Sequence, residues 1–127
     1  MYLQIMEQIR HLVAVGTWSG GSEIPSIRAL AADLRISVIT IKRAYLELET
    51  EGVIVTRQGR GTFVADNPQL GPDLRQQELD AHLTVAAALA RLLGLSADEL
   101  ETRLRDAQRL ADGDIPRTDR THDFGVP

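Results

Sequence analysis

The stretch that most constrains the fold is Pro25 to Gly52, PSIRALAADLRISVITIKRAYLELETEG. Two apolar stripes recur in it at helical spacing. Ile27, Leu30, Ala31 and Leu34 form the first, and Val38, Ile41, Tyr45 and Leu48 the second. Ser26 and Ser37 stand where N-caps are needed, and Gly52 where a left-handed stop is needed. The pattern predicts one helix from Ser26 to near Leu34 and another from Ser37 to near Glu51, with Arg35 and Ile36 between the periodic runs. Two short helices joined so tightly must cross steeply, as in a helix-turn-helix. The second helix then turns Ile39, Thr40, Lys42 and Arg43 away from its apolar stripe.

The flanking segments read as support. Tyr2 to Gly16 has an amphipathic pattern, with Tyr2, Ile5, Met6, Ile9, Leu12, Val13 and Gly16 on one face and Arg10 and His11 among the outward residues. A helix here would cover the helix-turn-helix. His11 has no second ligand at metal spacing and reads as solvated. Thr17 to Ile24 is expected as loop, with Trp18 plugging the seam between first helix and hairpin. After Gly52 the period changes. The β-branched run Val53 to Thr56, the basic tip Arg57-Gln58-Gly59-Arg60-Gly61 and then Thr62-Phe63-Val64 predict a β-hairpin. Glycine at its tip lets backbone approach another surface closely. A phosphate-cradling loop would need a Lys-Ser/Thr pair and a following helix, which this tip lacks.

Asn67 to Pro72 carries Pro68, Gly71 and Pro72 and is expected to break structure. Asp73 to Gly94 is helical in pattern, with Leu79, Leu83, Ala86, Leu89, Ala90 and Leu93 on one face. Ser96 with Glu99 predicts a capping box opening another helix, along which Ala97, Leu100, Leu104, Ala107 and Ala111 align. Two helices cannot cover that much apolar surface alone. At ~25 cal/mol per Å2 the open faces would cost several kcal/mol, so a second copy of the chain is expected against them. The expected interface residues are Leu79, Leu83, Ala86, Leu89, Ala90, Leu93, Leu100 and Leu104. The polar, Gly- and Pro-containing end, with His122, is expected to be a disordered tail. The predicted organisation is 1–66 winged helix-turn-helix, 67–72 linker, 73–111 helical dimerisation segment and 112–127 tail. The fold class is mainly α with a small β-hairpin.

Charge decides which partners fit. The net charge of −4 argues against indiscriminate nucleic-acid binding, but the excess is local. Seven basic residues face seven acidic ones up to Asp66, and seven face eleven beyond it. Arg28, Lys42, Arg43, Arg57 and Arg60 are expected to gather on one side of the first domain, with Glu47, Glu49 and Glu51 at the far end of the second helix of the helix-turn-helix. Absence of cysteine excludes disulfides and thiolate metal sites. With no convergent titratable cluster, catalysis is not expected, nor is a cofactor or a metal. No apolar run has membrane-spanning length and the start lacks a signal pattern, so the reading is of a soluble, cytoplasmic chain without a membrane partner.

Three motifs together carry a resemblance. They are Pro25-Ser26-x-Arg28-x-Leu30-Ala31, Thr40-Ile41-x-Arg43-Ala44-Tyr45-x-x-Leu48-x-x-Glu51-Gly52-x-Ile54, and Arg57-Gln58-Gly59-Arg60-Gly61-Thr62-Phe63-Val64. In this combination Tyr2 to Val64 resembles the GntR family of bacterial transcription regulators, and the short C-terminal part looks like its YtrA subfamily. The resemblance implies double-stranded DNA as partner. It places Ser26 and Ser37 at phosphate-facing helix starts, Arg28 on base or phosphate, Thr40, Lys42 and Arg43 on the recognition helix, and Gln58, Gly59 and Arg60 at the wing tip bordering the minor groove. Two positions depart from the family pattern. Val38 and Ile39 open the recognition helix where relatives often have Arg, Pro or Asn, and Ala29 replaces an acidic neighbour of Arg28. Ile39 can offer a base only apolar contact with a thymine methyl, which predicts thymines in the contacted site.

The expectation is a sequence-specific regulator, a repressor acting as a homodimer on a palindrome, whose C-terminal helices either only dimerise or also hold an unidentified small-molecule effector between them. The rival expectation, sustained by the acidic net charge, is a winged-helix module that binds protein and not DNA.

Overall fold

The structure, a computed structural model, describes residues 1–113. The expected tail, His122 included, lies outside the described residues except for Asp112 and Gly113. The chain forms two compact units, one over Met1–Gln76 and one from Gln77 onward.

The first unit begins with α1 (Tyr2–Ala14), then β1 (Glu23–Ile24), α2 (Ile27–Leu34), α3 (Val38–Thr50), β2 (Ile54–Arg57) and β3 (Gly61–Val64), and ends in the first turns of α4 (Leu70–Leu92). The helices start where serine can serve them. Ser26 Oγ accepts from the Ala29 N–H (3.1 Å) and Ser37 Oγ from the Thr40 N–H (3.2 Å). Between α2 and α3 the chain turns on Arg35, a non-glycine residue in the left-handed region (φ 55°). Its N–H bonds to Ala32 O and that of Ile36 to Ala31 O, satisfying two carbonyls at the end of α2. Gly52 (φ 82°) does the same work after α3, with Val53 N–H on Leu48 O.

The stripes read from the sequence meet in one core: Ile5, Met6, Ile9 and Val13 from α1, Leu30 and Ala31 from α2, Ile41, Ala44, Tyr45 and Leu48 from α3, and Ile54 and Val64 from the sheet. Trp18 packs against this core, partly buried. The Tyr45 hydroxyl donates to the Pro25 carbonyl (2.6 Å), tying α3 to the residue before the Ser26 cap. Arg10 grips Glu51 through two hydrogen bonds, Nε to Oε1 (2.9 Å) and NH2 to Oε2 (2.7 Å). Glu51 caps the C-terminus of α3, where an unpaired carboxylate would oppose the helix dipole. The guanidinium of Arg10 removes that conflict and fastens α1 to the same spot.

Two expectations change here. Thr17 to Ile24 is not all loop: Glu23 and Ile24 form β1, antiparallel to β3 with Glu23 opposite Phe63. The hairpin is therefore part of a three-stranded sheet of order β1-β3-β2. Residues 67–72 are not all linker either, because α4 begins at Leu70 and takes in Gly71 and Pro72. Proline is accommodated in a first turn, where its missing N–H has no intrahelical partner to lose. Arg75 and Leu74 fasten this start to the first unit. Arg75 NH1 donates to the Ala14 carbonyl (2.8 Å), and Leu74 is buried in the core.

The second unit contains the rest of α4 and α5 (Ala97–Asp112). Gly94 (φ 71°) ends the first of these, with Leu95 N–H on Ala90 O. The Ser96–Glu99 capping box is present in both directions: Ser96 Oγ accepts from Glu99 N–H, and Glu99 Oε1 accepts from Ser96 N–H. Asp112, expected in the tail, is the last residue of α5.

Candidate nucleic-acid interface

Burial of Ile41, Ala44, Tyr45 and Leu48 fixes the rotation of α3. At about 100° per residue the opposite side must then carry Ile39, Lys42, Arg43 and Leu46, and all four are exposed. Ile39 is the extreme, at 80% exposure. Val38 is exposed as well, so neither apolar residue at the start of α3 is used by the core. Thr40 is partly buried, and its hydroxyl shares a hydrogen bond with Ser37 Oγ (2.8 Å). That hydroxyl is engaged within the cap.

Arg28 is exposed in the first turn of α2. Arg28, Arg35, Lys42 and Arg60 form no ion pair among the described residues. Arg43 behaves differently from its neighbour Lys42. Its guanidinium carbon lies 4.0 Å from the centroid of the Tyr2 ring, so α1 holds it by a cation–π contact. Tyr2 is the functional neighbour that periodicity did not reveal. It read as a core position of α1, and nothing local in the sequence links residues 2 and 43.

At the wing, β2 and β3 pair from Ile54–Val64 out to Arg57–Gly61, leaving Gln58, Gly59 and Arg60 as the tip. The Arg60 N–H bonds to Arg57 O (2.9 Å), closing a turn in which Gly59 takes φ 76°. Arg57 leans toward the ring of Phe63 across the strands, 5.8 Å from its centroid. Gly61 takes φ 128°, a conformation that L side chains rarely adopt, and the Glu23 side chain of β1 lies over it. Gln58, Gly59 and Arg60 are all exposed.

The expected interface between copies can be placed within its own unit. Leu79, Leu83, Leu89, Leu93 and Leu104 are exposed, and Ala86 and Leu100 are partly so. Ala90 differs. It is only 5% exposed in the single chain, and so has no surface left to offer a second copy.

Three helices, a capped and cation-bearing third helix and a basic wing define a winged helix-turn-helix. The chain belongs to the GntR family of bacterial regulatory proteins, whose description its residues 1–64 match. The HTH-type transcriptional repressor YtrA of Bacillus subtilis is 35% identical over 92 residues, covering 65% of this chain and 71% of that protein. A GntR family transcriptional regulator from Listeria monocytogenes has a similar structure, with TM-score 0.76 and 26% identity over 83% of this chain and 92% of that one. A transcriptional regulator from Oenococcus oeni matches with TM-score 0.68 and 30% identity, over 84% of this chain and 89% of that one. The chain is thus a YtrA-like GntR regulator by similarity, in a family of regulators and not of enzymes.

Proposed function

We propose that this chain binds a palindromic DNA operator as a homodimer and represses transcription by occupying a promoter. The observation that carries the reading is the outward face of α3, where Ile39, Lys42 and Arg43 are exposed on a helix whose other face is locked into the core. Ser26, Arg28, Ser37, Ile39, Thr40, Lys42 and Arg43 supply the helix-turn-helix contacts, and Gln58, Gly59 and Arg60 the wing contacts. Serine-capped helix starts present N–H groups to phosphates, while Lys42, Arg43 and Arg60 neutralise them. The exposed leucines of α4 and α5 are the surface on which two copies join, and they set the half-sites about one turn (~34 Å) or a multiple apart. A regulator of this kind acts in the cytoplasm, and the repressors named among its relatives support repression over activation.

An electrophoretic shift on the protein's own upstream region, across a salt series, tests this. A steep loss of affinity with salt and a preference for a palindrome are expected. No shift at low salt overturns the proposal and favours the protein-binding module that the net charge of −4 keeps in view.

A further inference from the structure

The first unit holds a half-open cavity of 320 Å3 where the end of α1, the loop after it, the strand leaving the wing and the first turn of α4 converge. That volume is at the small end of ligand pockets. Val13, Val64 and Leu70 give it aliphatic walls, and among the described residues Trp18 is its single aromatic and Asp66 its single charge. No basic side chain pairs with Asp66 among the described residues. The Gly20–Gly21 turn lies beneath the Asp66 side chain. A Cβ at Gly21 would stand 3.7 Å from the Asp66 carboxyl carbon, and one at Gly20 3.8 Å from its Oδ1.

This combination selects by charge. An anion is repelled by Asp66, and a neutral apolar molecule gains nothing from it. A small organic cation gains from both polar features, through Coulomb attraction to the carboxylate and through the negative face of an indole. Its methyl or methylene groups meet the aliphatic walls. Leu70, Gly71 and Pro72, the opening turn of α4, form one side of the cavity, and α4 then runs without a break to Leu92. An occupant touches that turn and the winged helix at once. It therefore favours whichever setting of the turn closes around it.

We propose that this cavity is a binding site for a small organic ammonium ion, recognised by Asp66 and Trp18, and that its occupancy biases the first turn of α4. The binding stands on the cavity alone. Its regulatory consequence rests on the DNA-binding reading above, because only there does the setting of α4 matter.

The full chain is titrated with choline, tetramethylammonium and benzyltrimethylammonium, and with 3,3-dimethylbutan-1-ol, the neutral shape-mimic of choline. Emission from Trp18, the chain's single tryptophan, is the readout. A saturable change is expected with at least one ammonium ion and a several-fold weaker one with the alcohol. Asp66→Asn should weaken the ammonium ion about fivefold, a carboxylate open to solvent being worth no more, while melting temperature stays the same. No saturation by any of the three cations, equal binding of the alcohol, or unchanged binding to Asp66→Asn overturns the site. If the cation binds but leaves the operator shift unaltered, the coupling to α4 is overturned and the site stands. Failure of the DNA-binding reading is recognisable separately, as no shift before any cation is added.

Discussion

The Arg43 guanidinium rests on the Tyr2 ring, its central carbon 4.0 Å from the ring centroid. The stack joins the second residue of the chain to the face of α3 proposed to enter a groove. It restricts the rotamers of a long cationic side chain before DNA arrives, which lowers the ordering cost of binding. At an exposed site such a contact is worth ~0.5–1 kcal/mol. Tyr2→Leu should therefore raise the operator Kd about two- to fivefold per half-site, and Tyr2→Phe, which keeps the ring, should raise it less. Arg43→Ala, which removes the charge itself, should cost more than either and leave the dimer intact. Shift assays at one fixed salt concentration rank the three. Equal affinity for Tyr2→Leu and the parent would deny the stack any part in recognition.

Ile39 makes a separate prediction about the proposed operator. A large apolar side chain at 80% exposure is unfavourable in water unless a partner covers it, and the apolar group a major groove offers is the thymine methyl. Replacing contacted thymines by uracil deletes that methyl and nothing else. Burial of one such group is worth ~0.8 kcal/mol, so up to about fourfold in affinity per contacted thymine is expected. The loss should vanish in Ile39→Ala, because the two deletions remove the same contact. A uracil penalty of equal size in both proteins would place Ile39 away from the base.

Tyr45 predicts a pH dependence. Burial pushes its phenol above the ordinary tyrosine value, and its hydroxyl donates to Pro25 O at 2.6 Å. The unfolded chain releases this proton near pH 10, the folded chain only at higher pH. Above about pH 10 the folded state thus holds more protons than the unfolded one. Stability from this group is complete below that pH and is lost as pH rises toward the folded value. Urea unfolding should show an alkaline decline that is shallower in Tyr45→Phe. At neutral pH the variant should lose about 1 kcal/mol, the net worth of the hydrogen bond. Parallel alkaline slopes for the two proteins would contradict the assignment.

What could be read before the structure, and what could not, divides by range in the chain. Ser26, Ser37 and Ser96 were legible as caps because capping is a local event, settled within four residues. The rotation of α3 was legible because burial repeats along it. β1 was not, since two residues are too short to show alternation and Glu23–Ile24 is a strand only by pairing with β3. The opening turn of α4 was hidden by Gly71 and Pro72, which signal a break unless they fall in a first turn. The Tyr2–Arg43 and Arg10–Glu51 contacts each span 41 residues and leave no trace in periodicity. The cavity beside Trp18 leaves no local signal for the same reason. Its walls come from four segments, none with a motif of its own.

The surface proposed to join two copies can be tested against its own hairpin. Leu89 (53% exposed) near the end of α4 and Leu93 (65%) in the turn just past it leave most of their area in water in a single chain. Ala90, adjacent to Leu89, is already buried. Neighbouring positions on one helix thus have opposite roles, and the same substitution should fail differently at each. Leu89→Asp places a charge on a surface that only a second copy would cover. Sedimentation should then report a monomer with helix content intact and operator affinity sharply reduced, because two half-sites are no longer read together. Ala90→Asp forces a carboxylate into packed space, and burying an unpaired charge costs several kcal/mol. Its far-UV signal should fall and its melting temperature drop along with dimerisation. A Leu89→Asp chain that still sediments as a dimer would move the interface off this face of α4.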